Sequence, residues 1–174
     1  INQRLIIMRS TMRSMKIHLL AVGQKPPRWV SDGYDDYAKR LPAHCRLQLK
    51  EIPLGPRKKQ DVGRDSAVAA VKKETQGLLN AIPDGAIRVA LDERGKAWST
   101  RDLAAQLDKW LASGKDVALL VGGPDGLDAD LRASCQQQWC LSPLTLPHAM
   151  VRVLVAEQLY RAHSILTNHP YHRD

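Results

Sequence analysis

The chain has 174 residues, of which 44% are apolar, and a formal net charge of +8 at pH 7. This length suits one domain with a sizeable core, and the positive charge favours a polyanionic partner such as nucleic acid, unless it serves solubility alone. The three cysteines form no CxxC motif and no even disulfide framework, and the sequence holds no apolar run long enough to span a membrane. We therefore expect a protein of the reducing cytoplasm without a membrane partner.

The first 14 residues are predicted to be an extension that precedes the domain. They begin without Met, contain Met8 and Met12 ahead of Met15, and lack the long apolar core and cleavage site of a signal peptide. We expect residues 1–14 to be an upstream or cloning-derived extension with little order, and residues 15–174 to form a single domain.

Short strand-like runs alternate with helical patterns along the rest of the chain. The predicted strands cover residues 16–22, 46–52, 86–92, 116–121 and 138–142, and helical patterns cover residues 29–41, 65–82, 99–114, 128–137 and 148–166. In the second helix, an inward face is predicted from Val68, Val71, Thr75, Leu78 and Ile82. Ser99 and Asp102 form a capping box before the third helix. Strands that alternate with helices predict an α/β fold whose mostly parallel sheet is flanked by helices.

Three loops follow predicted strands, after Leu91, Val121 and Leu141. Because ligands of parallel sheets bind at the carboxyl ends of the strands, these loops mark the expected site. The second loop, VGGPDGL, does not match the G-x-G-x-x-G fingerprint of dinucleotide-binding proteins, and the sequence has no P-loop motif. Gly122 and Gly123 either satisfy the backbone geometry of a tight turn or let a ligand approach the backbone closely.

The third loop, LSPLTLP, is short, apolar and flanked by Pro143 and Pro147. Its leucines either pack beneath the last helix or form an apolar slot whose backbone groups bind a flat heterocycle such as adenine. No phosphate-binding loop and no metal-ligand spacing accompanies the loop. The expected ligand is therefore adenine-like but lacks a nucleotide phosphate.

Three C-terminal motifs resemble those of a known bacterial enzyme family. LLVGGPDGL, LSPLTLPHAMVRVLVAEQLYRAHSI and NHPYHR are similar to the motifs of the methyltransferases that modify a pseudouridine of 23S ribosomal RNA at N3. This family belongs to the SPOUT superfamily of knotted methyltransferases. The resemblance runs from Met15 to Asp174 and is strongest over the C-terminal third, whereas the basic segment 53–64 is less family-like and receives no role from it.

The resemblance implies a C-terminal deep trefoil knot, a homodimer, and S-adenosylmethionine as the cofactor. Topology rules alone would not predict the knot, because threaded chains are rare. The knot loops of the family match the three loops described above. The implied cofactor-binding residues are Leu91, Gly122, Gly123, Leu141, Ser142, Pro143, Leu144, Thr145 and Leu146.

Methylation of an N3 imide requires the loss of its proton, which a nearby base or cation favours. Candidate side chains crowd into the tail NHPYHRD and the helix before it. We predict Arg152 and His172 as catalytic residues. We predict that His169, Tyr171 and Arg173 bind the substrate by stacking on a base and by contacting phosphate.

Alternative roles are open for some of these side chains. Arg152, with Glu157, could instead belong to a buried or interfacial ion pair, and His163 is more simply explained as structural. A zinc site of His163, His169 and His172 is not expected, because no cysteine lies at ligand spacing beside them. We therefore predict no metal.

The last predicted helix carries apolar side chains on most of its faces between Met150 and Tyr160. A helix that is apolar all round is buried, and in so small a chain a second copy is the expected cover. Two-fold packing would place the tail NHPYHRD at the subunit seam.

The predicted function is therefore S-adenosylmethionine-dependent methylation of N3 of a pseudouridine in 23S ribosomal RNA. Because no RNA-binding module is appended, the expected substrate is the assembled ribosome or large subunit. Two alternatives stay open: a non-catalytic knotted protein that binds RNA or the ribosome, and a transfer RNA methyltransferase of the same superfamily.

Overall fold

The computed structural model describes residues 14–57 and 64–172. The predicted extension lies outside the described residues except for Ser14, and so do residues 58–63 of the basic segment. Arg173, predicted to bind substrate, also lies outside them.

The strands of the described residues form a single parallel sheet, as the alternation of strands and helices predicted. The strands are β1 (Met15–Val22), β2 (Cys45–Ile52), β3 (Ile87–Ala97), β4 (Val117–Val121) and β5 (Gln137–Cys140). Their order across the sheet is β2-β1-β4-β3-β5, and every pairing is parallel. The carboxyl ends of all the strands therefore lie at one edge of the sheet. The trefoil knot stays a prediction.

The helices lie close to their predicted positions. They are α1 (Arg28–Ala38), α2 (Arg64–Ala81), α3 (Thr100–Ser113), α4 (Ala129–Ala133) and α5 (His148–Leu166). The predicted bounds of α5 match the structure. Helix α3 begins with the predicted capping box, in which the Ser99 side chain accepts a hydrogen bond from the Asp102 backbone N–H. It ends at Gly114, whose φ of 64° is the left-handed conformation that glycine adopts without strain.

Each face of the sheet carries a hydrophobic core, because successive strand residues point to opposite faces. Ile17 and Leu19 belong to the core that α1, α3 and α5 cover, whereas Leu20 and Val22 belong to the core that α2 and α4 cover. All five residues of β4 are buried, as expected for a central strand of a sheet covered on both faces.

The predicted inward face of α2 is wrong at its first position. Val68 is 65% exposed, and the side chains of residues 66–81 that are buried are Ala70, Glu74 and Leu78. A carboxylate therefore occupies the inward face of α2. Its partners lie elsewhere in the chain, which the periodicity of the helix cannot indicate.

Strand β3 is longer than predicted and contains an irregularity. Its pairing with β5 shifts register between Leu91 and Lys96. A register shift leaves intervening residues unpaired and bends the strand locally. The segment after Leu91, predicted as a plain loop, is thus a bulge at the carboxyl edge of the sheet.

Candidate functional site

A cavity of about 410 Å³ lies at the carboxyl ends of β3, β4 and β5. Its walls come from the three predicted loops and from the start of α5. All but one of the predicted cofactor-binding residues line it, namely Leu91, Gly122, Gly123, Leu141, Ser142, Leu144, Thr145 and Leu146. Pro143 is not among the lining residues.

The glycine loop of the cavity is held in a tight turn of its own. A Cβ atom on Gly122 would lie 2.4 Å from the backbone carbon of Gly126, a distance that real side chains do not tolerate. The Gly126 N–H donates to the Gly123 carbonyl at 2.9 Å. Gly122 therefore satisfies the backbone geometry of a tight turn, which was one of its two interpretations. The turn also presents its backbone to the cavity.

Charged side chains that the sequence did not single out also line the cavity. Asp92 accepts a hydrogen bond from the Arg132 guanidinium at 3.2 Å and from the Arg94 backbone N–H at 2.9 Å. Asp125 of the glycine loop contributes a further carboxylate. Because Asp92 directly follows Leu91, the sequence could have identified it as a residue at the end of a predicted strand. Its pairing with Arg132 depends on the fold and could not be predicted.

His148, the first residue of α5, lines the cavity. Partial desolvation by its surroundings lowers the pKa of the imidazole below the ordinary value, and the nearby positive charge of Arg152 lowers it further, while Glu74 opposes the shift. The neutral form of this imidazole is therefore favoured, and the residue itself is exposed to solvent. His148 lies among the C-terminal histidines of the sequence, but no pattern distinguished it from the others.

Arg152 is only 4% exposed and does not line the cavity. Its guanidinium donates to the Glu51 carboxylate at 2.5 Å and to the Gly23 carbonyl at 2.7 Å. Arg152 thus belongs to a partly buried ion pair, but its partner is Glu51, whereas Glu157 pairs with Arg161 at 2.5 Å. Arg152 ties α5 to the carboxyl ends of β1 and β2.

Residues 168–172 of the C-terminal tail fold back onto the end of α5. The Tyr171 ring lies 4.7 Å from the ring of Tyr160, and the Arg161 guanidinium lies 4.7 Å from the Tyr171 ring. The Tyr171 hydroxyl donates to the Glu157 carboxylate at 3.1 Å, and the His169 ring accepts from the Tyr171 backbone N–H at 3.2 Å. Burial, followed by the hydroxyl's hydrogen bonds, raises the pKa of Tyr171, so the phenol stays protonated.

The tail and the cavity lie at opposite ends of α5. His148 lines the cavity, and Tyr160 is twelve residues further along the helix. At about 1.5 Å per residue, this separation is about 18 Å along the helix axis. One copy of the chain therefore does not bring Tyr171 and His172 to its own cavity.

Neither a metal site nor a membrane-spanning helix is found among residues 14–57 and 64–172. Their histidines, cysteines and carboxylates form no group of three that could hold a metal ion. None of their helices combines the length and apolarity needed to cross a bilayer.

Comparison with known proteins places the whole described domain in one family. The family model described as "Predicted SPOUT methyltransferase" matches residues 15–172. A relative from Hydrogenovibrio crunogenus is 52% identical over 161 residues, which cover 92% of this chain and 100% of the relative. A relative from Bordetella pertussis is 55% identical over 159 residues, covering 91% of this chain and 99% of the relative. Both are called "Ribosomal RNA large subunit methyltransferase H".

A solved structure shows the same fold. The probable methyltransferase from Bordetella pertussis Tohama I superposes with a TM-score of 0.50 at 17% sequence identity. The superposition covers 91% of this chain and 98% of that chain.

Proposed function

Since this chain belongs to the predicted SPOUT methyltransferase family, we propose that it uses S-adenosylmethionine to methylate N3 of a pseudouridine in 23S ribosomal RNA. One observation carries the proposal. The three loops that the family resemblance assigns to the cofactor converge on one cavity at the carboxyl edge of the sheet. The name shared by these relatives, at more than half identity over nearly the whole chain, supports a substrate in the large ribosomal subunit.

The cavity fits the proposed cofactor in size and chemistry. Its 410 Å³ is within the usual range of small-molecule sites, about 300–1,000 Å³. Leu141, Leu144 and Leu146 offer an apolar wall for a flat base, and Gly122 and Gly123 expose backbone groups for hydrogen bonds. S-adenosylmethionine, when bound, supplies an electrophilic methyl group. The chain then has to position the acceptor nitrogen in line with it.

The acceptor nitrogen must also lose a proton. We propose His148 as the acceptor of this proton, since it lines the cavity and since partial desolvation and the nearby Arg152 lower the pKa of its imidazole, which favours the neutral form. In this proposal Arg152 acts only through His148, because its guanidinium is already bonded to Glu51 and Gly23 and does not line the cavity.

The proposed active form is a homodimer in which one copy supplies the cavity and the other supplies the tail. The 18 Å separation along α5, from about 1.5 Å per residue, supports this arrangement. Helix α5 also keeps apolar surface open, with Met150 39% exposed and Leu154 partly exposed. In the dimer, His169, Tyr171, His172 and Arg173 of one copy would contact the nucleotide held at the cavity of its partner.

Recognition of an assembled ribosomal surface is the proposed basis of specificity. The matched family covers residues 15–172, leaving no separate RNA-binding module among the described residues. The net charge of +8 supports contacts with phosphate groups of RNA.

Calorimetry with S-adenosylmethionine separates this enzyme from a non-catalytic RNA-binding protein. The enzyme binds the cofactor in a saturable manner without RNA, whereas a pure binding protein gives no heat. Mass spectrometry of nucleosides from a deletion strain tests the remaining alternative. The proposal predicts loss of N3-methylpseudouridine from 23S ribosomal RNA, and loss of a methylated nucleoside from transfer RNA instead would contradict it.

A further inference from the structure

We infer that Arg57 is a positioning residue for the glycine loop of the cavity and that it acts through Asp125 from a buried anchor, Glu74. This inference rests on the proposed function, because the cavity is taken to bind the methyl donor. It gives a role to the segment after β2, to which the family resemblance assigns none.

Glu74 is a buried carboxylate that accepts hydrogen bonds from the segment after β2. Its side chain is 3% exposed, and one oxygen accepts from the Gly55 backbone N–H at 2.8 Å and from Arg57 at 2.7 Å. The other oxygen has no hydrogen-bond partner among the described residues. A Cβ atom on Gly123 would lie 2.7 Å from that oxygen, so Glu74 packs directly behind the glycine loop.

Arg57 extends this anchor to the rim of the cavity. Its guanidinium donates twice to the Asp125 carboxylate, at 2.8 and 3.2 Å, while also bonding to Glu74 and to the Gly55 carbonyl. Such a fork of charge-assisted bonds fixes both distance and direction. Asp125 lines the cavity, whereas Arg57 and Glu74 do not. Arg57 and Glu74 therefore affect a ligand in the cavity only through the loop.

This arrangement fixes the glycine loop from behind and leaves its backbone free to face the ligand. Gly122 and Gly123 supply no side chains that could hold the loop in place. A loop that is held in its binding conformation before the ligand arrives binds more tightly, because less ordering is left to occur on binding. The ion pairs of Arg57 with Glu74 and Asp125, here called the charged bridge, hold the loop where side-chain packing is missing.

The test is donor affinity without RNA, measured by calorimetry with S-adenosylmethionine on the full chain. Arg57→Gln removes the bridge without touching the cavity wall and should weaken binding about tenfold. Arg28→Gln is the matched control, since Arg28 pairs with Asp32 on α1 and does not line the cavity. It should leave the affinity unchanged. Thermal unfolding is measured in parallel, so that lost stability is not taken for lost affinity.

A double-mutant cycle tests the route through Asp125. Arg57→Gln and Asp125→Asn together should weaken binding no more than the stronger single variant, because both break the same bridge. Unchanged donor affinity in Arg57→Gln would overturn the inference while leaving the proposed function intact. A double variant whose loss of affinity equals the product of the two single losses would have the same meaning. Absence of donor binding by the native chain would overturn the proposed function, and the inference with it.

Discussion

The ring of Tyr171 packs 4.7 Å from the ring of Tyr160, which fastens the C-terminal tail to the end of α5 that lies away from the cavity. Tyr171 therefore contacts both an aromatic ring and the Arg161 guanidinium before any substrate arrives. This contact gives Tyr171 a defined position on α5.

Deletion of residues 171–174 should lower methyl transfer steeply while leaving the fold and the donor affinity nearly unchanged. The apolar helix and the cavity walls remain, whereas the substrate base loses contacts worth about 1–3 kcal/mol per stacked base. This loss corresponds to a rate reduced by roughly one to two orders of magnitude. Initial rates on ribosomes, together with calorimetry, check the prediction. Tyr171→Phe, which keeps the ring but drops the hydroxyl bond to Glu157, should retain more activity than Tyr171→Ala.

Gly122→Val should abolish donor binding while leaving the proposed dimer intact. Its Cβ atom would lie 2.4 Å from the backbone of Gly126 and would force the glycine loop open. Calorimetry and size-exclusion chromatography report the two properties separately. Normal donor binding by this variant would mean that the loop does not form part of the donor site.

Two inactive variants should restore activity when mixed. Gly122→Val lacks a working cavity but keeps its tail, and the variant lacking residues 171–174 has the opposite defect. If random exchange makes half of the dimers mixed, each mixed dimer holds one complete site, and activity should return to about a quarter of the native value. Activity in the mixture no higher than that of the separate variants would contradict the proposed sharing of the site between two copies.

The free energy of unfolding should fall as the pH drops through the titration range of histidine. Burial, and then the nearby His44 and His169, lower the pKa of His163 in the folded chain. The unfolded chain therefore binds more protons between the lowered pKa and the ordinary value near 6.5, so stability rises with pH in that window and is lost below it. Denaturant titrations of the native chain and of His163→Gln at several pH values check this. The variant should show a flatter dependence on pH, and an equal slope in both would contradict the prediction.

Ser99→Ala should destabilise the fold modestly without affecting the site. Loss of an N-cap side chain costs about 0.5–2 kcal/mol, and Ser99 does not line the cavity. Chemical denaturation should show this decrease, while the donor affinity stays at the native value.

Local sequence patterns predicted much of this fold because the bounds and caps of helices depend on residues that are close together in the chain. The bounds of α5, the capping box at Ser99 and the left-handed Gly114 follow from periodicity and from terminal residue preferences. The inward face of α2 was wrong at Val68 because Glu74 is buried with a partner on another segment, Arg57. Pairing of this kind is not visible in the spacing of one helix.

The candidate site was likewise predictable only where it depends on local sequence. The positions of three loops after parallel strands, and the family motifs within them, identified most of the cavity wall. The contacts that orient its charges were not predictable, since Asp92 with Arg132 and Arg152 with Glu51 join residues far apart in the chain. The sequence also could not show that Tyr171 is bound to α5 of its own chain.

The most direct test is methyl transfer in vitro from labelled S-adenosylmethionine to ribosomes that lack the modification. The purified chain is incubated with 70S ribosomes, with isolated subunits and with naked 23S ribosomal RNA, and the RNA is digested to nucleosides for mass spectrometry. We predict N3-methylpseudouridine from 70S ribosomes or large subunits and little product from naked RNA. Product at another position or nucleoside, no product from any ribosomal substrate, or equal activity on free RNA fragments would contradict the proposed function.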